Sequence, residues 1–264
     1  MTEDNIKPSI LARLGEIEVS NNIKIFYACE SGSRAWGFPS QDSDYDVRFL
    51  FIRPVEWYLS IDEKRDVLEI PINDQLDISG WDIKKALRLI RKTNPPLLEW
   101  LGSPIVYLEK YKVTSKLREL VKEYYSPTTC LYHYLHMARS NYCEYLQGDI
   151  VWVKKYFYVL RPILAMSWIA KGFGIVPTDF NVLVEGLRLD TKIKKAIQEL
   201  RNRKLLGEEL DRGPKIPEIS NFINGELERW EHSEIPLNSI NRQSDELDTF
   251  FQNCMKEVWN RIIF

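Results

Sequence analysis

The chain lacks long hydrophobic runs, paired cysteines and repeats. None of its apolar stretches approaches the roughly 18 residues that a membrane-spanning helix needs, and its polar N-terminus shows no signal-peptide pattern. Its four cysteines are scattered without a CxxC pair, which argues against a zinc site or a disulfide framework. We therefore expect free thiols in a reducing compartment and a cytoplasmic protein.

A strong charge of either sign is also missing. Lys and Arg number 36 and Asp and Glu 38, so the formal net charge is −2. The whole molecule exerts no general attraction on nucleic acid, and any such binding must come from a local basic patch. The composition, 44% hydrophobic and 28% charged, is typical of a soluble globular protein.

Strand and helix patterns alternate in the first part of the chain. Tyr45–Ile52 alternates apolar and polar side chains, which predicts a strand with one buried face. Asp66–Ile70 and Gln75–Ser79 flank a Pro-Ile-Asn-Asp turn and predict a hairpin. The other predicted elements are strands at Lys24–Cys29 and Pro104–Tyr107 and a helix at Asp82–Thr93 that ends before Asn94-Pro95-Pro96.

Helical patterns dominate from about Thr114 onward. The predicted helices are Thr114–Tyr125, Thr128–Leu146, Val151–Lys171, Thr191–Leu206, Asn221–Glu231 and Ser244–Ile263, with Pro or Gly in the separators. We predict an α+β fold in which a domain with a small mixed sheet and helices, residues 1–112, precedes an all-helical domain, residues 113–264.

Two aspartates mark the start of the Tyr45–Ile52 strand. Asp44 and Asp46 are two residues apart, so on a strand both side chains leave the same face, roughly 6–7 Å apart at the backbone. Such a pair suits a hard cation, and Mg²⁺ is typically held by one or two carboxylates together with substrate phosphates. Gln-Asp-Ser-Asp is equally ordinary in a solvated loop, so the pair alone leaves both interpretations open.

A Gly-Ser turn precedes the aspartate pair. Gly32 follows the Lys24–Cys29 strand and permits a tight turn in which backbone N–H groups approach a phosphate closely. Ser33 supplies a hydroxyl where a short helix begins, and a helix N-terminus favours anions. The turn by itself is common, but the turn, the aspartates and two flanking strands together predict a site for a nucleoside triphosphate with Mg²⁺.

These motifs carry a family resemblance. Gly32-Ser33 followed by Asp44-Tyr45-Asp46-Val47 resembles the signature of the DNA polymerase β-like nucleotidyltransferase superfamily. The whole segment from Gly32 to Arg48 resembles one branch, the bacterial and phage predicted nucleotidyltransferases found beside RNA ligases. The resemblance spans roughly residues 25–185, through Asp77-Ile78-Ser79-Gly80-Trp81-Asp82, Asn94-Pro95, Glu99-Trp100-Leu101, Ser103-Pro104-Ile105-Val106-Tyr107 and Lys155-Tyr156-Phe157-Tyr158-Val159-Leu160-Arg161-Pro162.

The resemblance implies a third carboxylate on a neighbouring strand. Asp77 is our first candidate, because an isolated charge between Leu76 and Ile78 is costly unless it has a partner. Glu69 is the alternative, and Asp82 is expected to cap the following helix instead. The implied reaction is in-line displacement at the α-phosphorus, with two Mg²⁺ or Mn²⁺ ions held by Asp44, Asp46 and Asp77.

Further side chains are implied in nucleotide binding. Gly32 and Ser33 would hold the β- and γ-phosphates, and Arg34 and Arg48 would clamp the triphosphate unless they form structural ion pairs. In the Val151–Lys171 helix, the spacing of Lys154, Tyr158 and Arg161 predicts one shared face. That face would stack a base and hold phosphates; solvated lysines beside core tyrosines are the alternative.

The resemblance makes residues 1–112 the catalytic domain and residues 113–264 the substrate-binding domain. It implies transfer of a nucleoside monophosphate from a nucleoside triphosphate to an RNA end, such as a tRNA-like end, in RNA repair, with release of pyrophosphate. One alternative acceptor is a protein hydroxyl, as in antitoxin-like members of the superfamily. Another alternative is a non-catalytic nucleotide-binding module, which would have no need of three acids.

Overall fold

The computed structural model describes residues 3–40, 42–72, 75–208, 210–233 and 244–260. The helices are α1 (Glu3–Asn21), α2 (Gly32–Ala35), α3 (Val55–Tyr58), α4 (Ile83–Arg91), α5 (Pro95–Leu101), α6 (Val113–Tyr124), α7 (Pro127–Tyr145), α8 (Tyr156–Ala170), α9 (Phe180–Gly186), α10 (Thr191–Leu205), α11 (Pro217–Glu231) and α12 (Asp245–Trp259). The strands are β1 (Lys24–Glu30), β2 (Tyr45–Ile52), β3 (Val67–Glu69), β4 (Leu76–Asp82), β5 (Val106–Glu109), β6 (Ile150–Trp152) and β7 (Arg212–Pro214). Among the described residues, no helix is both long and apolar enough to cross a membrane.

The chain packs into two compact units. The first comprises Met1–Gly32, Asp44–Tyr125 and Asn241–Phe264, and the second comprises Ser33–Ser43 and Ser126–Ile240. Thus α6 packs with the first unit although it follows residue 112, and the segment 33–43 packs with the second. The units are defined by packing alone, so the assignment of a catalytic and a substrate-binding domain stays a prediction.

The first unit holds a five-stranded mixed sheet in the order β3-β4-β2-β1-β5. Strands β2 and β4 run parallel, and the other neighbours are antiparallel. The predicted hairpin is confirmed as the antiparallel pair β3–β4; Asn73 and Asp74 of its predicted turn lie outside the described residues. The sheet with its helices confirms the α+β fold class.

The alternation in β2 sorts its side chains between two layers. Tyr45, Val47, Phe49 and Phe51 are buried in a core that also contains Ile10 and Leu14 of α1. On the opposite face Asp46 and Arg48 are half-buried, whereas Leu50 and Ile52 are fully buried. This second face is therefore polar only where β2 begins.

Asp82 ends β4 and caps α4, as the sequence predicts. Its carboxylate accepts hydrogen bonds from the Lys84 backbone N–H at 2.8 Å and from the Tyr58 hydroxyl at 2.7 Å. Burial raises the pKa of Asp82 to about 6, although these two hydrogen bonds and the nearby Arg53 oppose the shift. The buried cap is thus a carboxyl group that ionises less readily in the folded chain.

We expect this group to make stability pH-dependent. Its pKa is higher in the folded chain than the roughly 3.9 of an unfolded Asp, so its stabilising contribution is fully present below about pH 4 and lost as the pH rises through about 6. The loss amounts to about 3 kcal/mol at most. Asp82→Asn keeps a capping acceptor without the titration. Urea unfolding between pH 4.5 and 7 should show the wild type losing stability relative to this variant, and parallel pH profiles would contradict the prediction.

The second unit is built around α8. Eleven of the fifteen residues of α8 are buried, and α7, α9 and α11 pack against it. The segment 33–43 adds Phe38, whose ring stacks on Phe157 of α8 at 4.4 Å between centroids. The unit also contains a two-stranded antiparallel sheet, β6–β7, which the sequence did not predict.

Candidate active site

Two carboxylates meet at the start of the parallel strand pair. Asp46 of β2 and Asp77 of β4 are register partners, so their side chains leave adjacent strands on the same face. Both accept hydrogen bonds from Nη2 of Arg48, at 3.0 Å for Asp46 Oδ1 and 2.7 Å for Asp77 Oδ2. The three side chains therefore form one charged cluster on the half-buried face of the sheet.

The cluster is electrostatically tense. Burial raises the pKa of the Asp46 carboxyl, the Arg48 guanidinium lowers it, and the charges of Asp77 and Asp44 raise it. With Asp46 and Asp77 ionised, Arg48 neutralises only one of the two negative charges. The remaining charge would repel an approaching triphosphate, so the site favours entry of the substrate together with a cation.

Gly32 belongs to this cluster for a steric reason. Its φ is +60°, a conformation that favours glycine, and a Cβ built on it would lie 2.1 Å from Asp46 Oδ2. The backbone N–H of Ser31 donates to the Asp46 carbonyl oxygen at 2.8 Å. The glycine thus lets the turn after β1 pass directly over the Asp46 carboxylate.

Glu30 supports the cluster from inside the sheet, and sequence reasoning missed it. Its side chain is fully buried; Oε1 accepts from the Asp46 backbone N–H at 2.8 Å, and Oε2 accepts from the Tyr107 hydroxyl. The Ser103 hydroxyl donates to the Glu30 carbonyl oxygen at 2.6 Å. A charged residue ending an apolar strand just before the Gly-Ser turn was the available signal.

Removing the Glu30 carboxylate should destabilise the first unit. Glu30→Ala leaves the Asp46 N–H and the Tyr107 hydroxyl without their acceptor, at a cost of about 2–4 kcal/mol. Glu30→Gln retains an acceptor oxygen and should cost clearly less. Urea unfolding of the two variants checks this, and equal stabilities of Glu30→Ala and wild type would contradict it.

The remaining acids lie differently. Asp44 is exposed and precedes the first residue of β2, while its charge still acts on Asp46. Glu69 is exposed on β3, pairs with Arg65 and is the register partner of Ser79, so the structure places Asp77 beside Asp46 and not Glu69. In the described part of the chain, no three His, Cys, Asp or Glu side chains are grouped to hold a metal ion. The three-acid metal site stays a prediction, of which the structure brings two members together.

The donor set of Asp46 and Asp77 nevertheless fits Mg²⁺. Two hard carboxylates that converge on one cationic nitrogen match the one or two protein ligands that Mg²⁺ takes when phosphates and water complete its coordination. Arg48 now holds both carboxylates, and it also donates to the Asp77 carbonyl oxygen at 2.8 Å. Its structural ion pairs are therefore established, and its role as a triphosphate clamp stays a prediction.

Ser33 and Arg34 organise the segment 33–43 of the second unit. The Ser33 hydroxyl donates to Ser43 Oγ at 3.2 Å, and the Arg34 guanidinium donates to the Ser43 carbonyl oxygen at 2.7 Å. Ser40 adds hydrogen bonds from its N–H and its hydroxyl to Ser43 Oγ, both 2.9 Å. Ser43, which no motif singled out, ties the segment together, and nucleotide binding by Ser33 and Arg34 stays a prediction.

Lys154, Tyr158 and Arg161 do not share one helical face, so that prediction is wrong. Residues 150–152 pair with β7 and residues 153–155 form a 3₁₀ turn, so α8 begins only at Tyr156 and Lys154 lies outside it. Arg161 is buried with its guanidinium 4.8 Å above the Trp36 ring, whereas Tyr158 is 38% exposed. The cation beside Tyr158 is Lys155, 4.4 Å from the ring centroid. Nucleotide binding by the three predicted residues stays a prediction.

Comparisons with known proteins identify relatives over nearly the whole chain. A Bacillus subtilis (strain 168) protein, described as the uncharacterized protein YcgL, is 50% identical over 255 residues, which is 96% of this chain and 98% of that protein. The crystal structure of a nucleotidyltransferase-like protein from Exiguobacterium sibiricum 255-15 aligns over 97% of this chain and 89% of its own at 12% identity. Its TM-score is 0.31, which is too low to bear on fold or function.

A family model decides the membership. The model described as RlaP, the RNA repair pathway DNA polymerase beta family, matches residues 6–253 and so includes Gly32, Asp46, Arg48 and Asp77. This agrees with the resemblance carried by the Gly-Ser turn and the aspartate pair. The chain belongs to the RNA repair pathway DNA polymerase beta family.

Proposed function

We propose that the protein is a Mg²⁺-dependent nucleotidyltransferase that moves a nucleoside monophosphate from a nucleoside triphosphate to a hydroxyl at an RNA end. The observation that carries the proposal is the register pairing of Asp46 with Asp77 beneath the Gly32 turn, in a chain of this family. Pyrophosphate is the second product. The family name supports nucleic acid as the general class of acceptor.

Phosphoryl transfer of this kind depends mainly on positioning and electrostatics. Asp46 and Asp77 would hold Mg²⁺, which, when bound, stabilises negative charge on the attacking and leaving oxygens. Asp77 takes the proton from the attacking hydroxyl as the new bond to the α-phosphorus forms and the bond to the pyrophosphate oxygen breaks. Glu30 holds the Asp46 backbone, and Arg48 keeps the two carboxylates apart from each other and ordered.

Gly32 has a second role in this proposal. Its conformation brings the turn within contact distance of Asp46, so a phosphate bound at the turn would lie next to the carboxylates. Arg48 is the cation nearest to both acids, and a guanidinium pairs well with phosphate oxygens. We assign it to the triphosphate once a metal ion replaces it between Asp46 and Asp77.

The proposal is tested by following label from each α-³²P nucleoside triphosphate, with Mg²⁺ or Mn²⁺, into an RNA oligonucleotide. The same RNA with a 2′,3′-dideoxy end is the matched acceptor control, and a cell lysate tests protein hydroxyls. We expect label only in the RNA that carries the terminal hydroxyls. Label on protein bands would support the alternative acceptor, and no transfer to any acceptor would overturn the proposal.

A further inference from the structure

A row of cations and aromatic rings crosses the second unit, away from its apolar core. We call it the cation–aromatic strip. It consists of Trp152, Lys154, Lys155, Tyr158, Lys204 and Arg212. These residues come from β6, the 3₁₀ turn, α8, α10 and β7, so only the folded unit brings them together. None of them contributes to the Asp46–Asp77 cluster of the first unit.

Trp152 lies at one end of the strip between two cations. It is 37% exposed, and its register partner in the β6–β7 sheet is Arg212. The Arg212 guanidinium lies 5.9 Å from the Trp152 ring centroid, and Lys154 Nζ lies 5.8 Å from it. An exposed large aromatic ring flanked by two positive charges is suited to stacking a base while both neighbours attract phosphate.

Lys204 lies in the middle of the strip. Its Nζ is 4.7 Å from the ring centroid of Phe38, and among the described residues no carboxylate forms an ion pair with it. Burial lowers the pKa of Lys204 to about 8, and the nearby charge of Lys154 lowers it further. Two ammonium groups held close together on a half-buried surface would be stabilised by an anion bound between them.

Lys155 and Tyr158 form the other end. Lys155 Nζ lies 4.3 Å from the ring centroid of Tyr145 and 4.4 Å from that of Tyr158, so the cation is held between two rings. Tyr158 keeps 38% of its surface exposed. This end of the strip repeats the arrangement at Trp152, an accessible ring beside a fixed positive charge.

Negative charge along the strip is sparse. Asp211 is 62% exposed and lies 3.7 Å from Lys154 Nζ, a long, solvent-screened ion pair that contributes little. The strip is therefore a local positive patch in a chain whose net charge is −2. A charge pattern of this kind needs a polyanionic partner, and the interleaved rings need flat, unstacked groups.

We propose that the cation–aromatic strip binds a single-stranded RNA acceptor. Phosphates would lie against Lys154 and Lys204, and bases would stack on Trp152 and Tyr158. This inference rests on the proposed function in one respect, the choice of nucleic acid as acceptor. A duplex presents its bases already stacked, so we expect unpaired RNA to bind more tightly than the same sequence in a duplex.

The test measures fluorescence anisotropy of a labelled 12-nucleotide oligouridylate with the full chain, in EDTA and without nucleoside triphosphate. Lys154→Ala and Lys204→Ala should each weaken binding and reduce the salt dependence, log K against log salt, by about 0.7 per lost phosphate contact. Trp152→Ala should weaken binding roughly five- to hundredfold with the salt dependence unchanged. Trp152→Phe keeps a stacking ring and should recover most of the loss.

Lys195→Ala is the matched control. Lys195 lies on the same helix as Lys204, is 78% exposed and pairs with Glu199 at 3.8 Å, so its removal should leave oligouridylate binding unchanged. Equal binding by wild type, Lys204→Ala and Trp152→Ala would overturn the assignment. So would variants that lose ATP binding, measured separately, while binding the oligonucleotide normally. Because neither metal nor nucleotide is present, normal RNA binding without any transfer would refute the proposed function and leave the strip assignment standing.

Discussion

Asp46→Asn should lower the rate of nucleotide transfer to RNA roughly a thousandfold. The substitution removes the charge of the carboxylate that faces Asp77 and Arg48 while keeping its shape. Charge stabilisation by a bound metal ion supplies several kcal/mol to such a transition state, and each 1.36 kcal/mol is a factor of ten in rate. Single-turnover transfer of ³²P label at saturating nucleotide and Mg²⁺ measures the effect.

Asp42→Asn is the matched control for this experiment. Asp42 lies in the same Asp-rich stretch and carries the same charge, but it is exposed, and we give it no role in the cluster. Its variant should transfer label at the wild-type rate. If Asp46→Asn and Asp42→Asn behave alike, the Asp46–Asp77 cluster is not the catalytic centre.

Gly32→Ala should impair both stability and transfer. Alanine at φ +60° costs about 1–2 kcal/mol, and its Cβ would overlap Asp46 Oδ2, so the total loss should be about 2–4 kcal/mol. The Asp46 carboxylate must move to relieve the overlap, and a displacement of about 1 Å can cost about a hundredfold in rate. Urea unfolding and the transfer assay measure the two losses.

Gly172→Ala separates backbone strain from the overlap. Gly172 has φ +72°, but a Cβ built on it meets nothing within 4 Å. This variant should lose about 1–2 kcal/mol of stability and none of the transfer activity. Should Gly32→Ala transfer label as fast as Gly172→Ala, the close approach of the turn to Asp46 is irrelevant to catalysis.

Local patterns predicted several elements well. Strand β2 has the predicted bounds Tyr45–Ile52, because its alternation of apolar and polar side chains is a property of the strand itself. Helices α4, α6, α7 and α10 begin and end within a few residues of their predicted positions. Ser244–Ile263 is confirmed as α12 up to Trp259, and residues 261–263 of that prediction lie outside the described residues.

Other elements were missed although local signals existed. Ile6, Ile10, Leu14 and Ile17 have the helical spacing of the buried face of α1. Asn94-Pro95-Pro96, predicted only as the end of a helix, also starts α5, since the Asn94 side chain accepts from the Leu97 N–H and Pro95 occupies the first turn. The pairing of residues 150–152 with β7 was beyond local pattern, because the partner strand lies some sixty residues further along the chain.

The sequence by itself determined the residue types and the local phase of the site: a glycine turn after β1, and Asp46 and Arg48 on one face of β2. These follow from the two-residue period of a strand and from the conformational freedom of glycine. Only the tertiary structure decided that Asp77 faces Asp46, that Glu30 holds the Asp46 backbone and that Lys204 joins Lys154 in the strip. Strand register and burial depend on contacts between distant segments, and the periodicity of one segment carries no information about its partner.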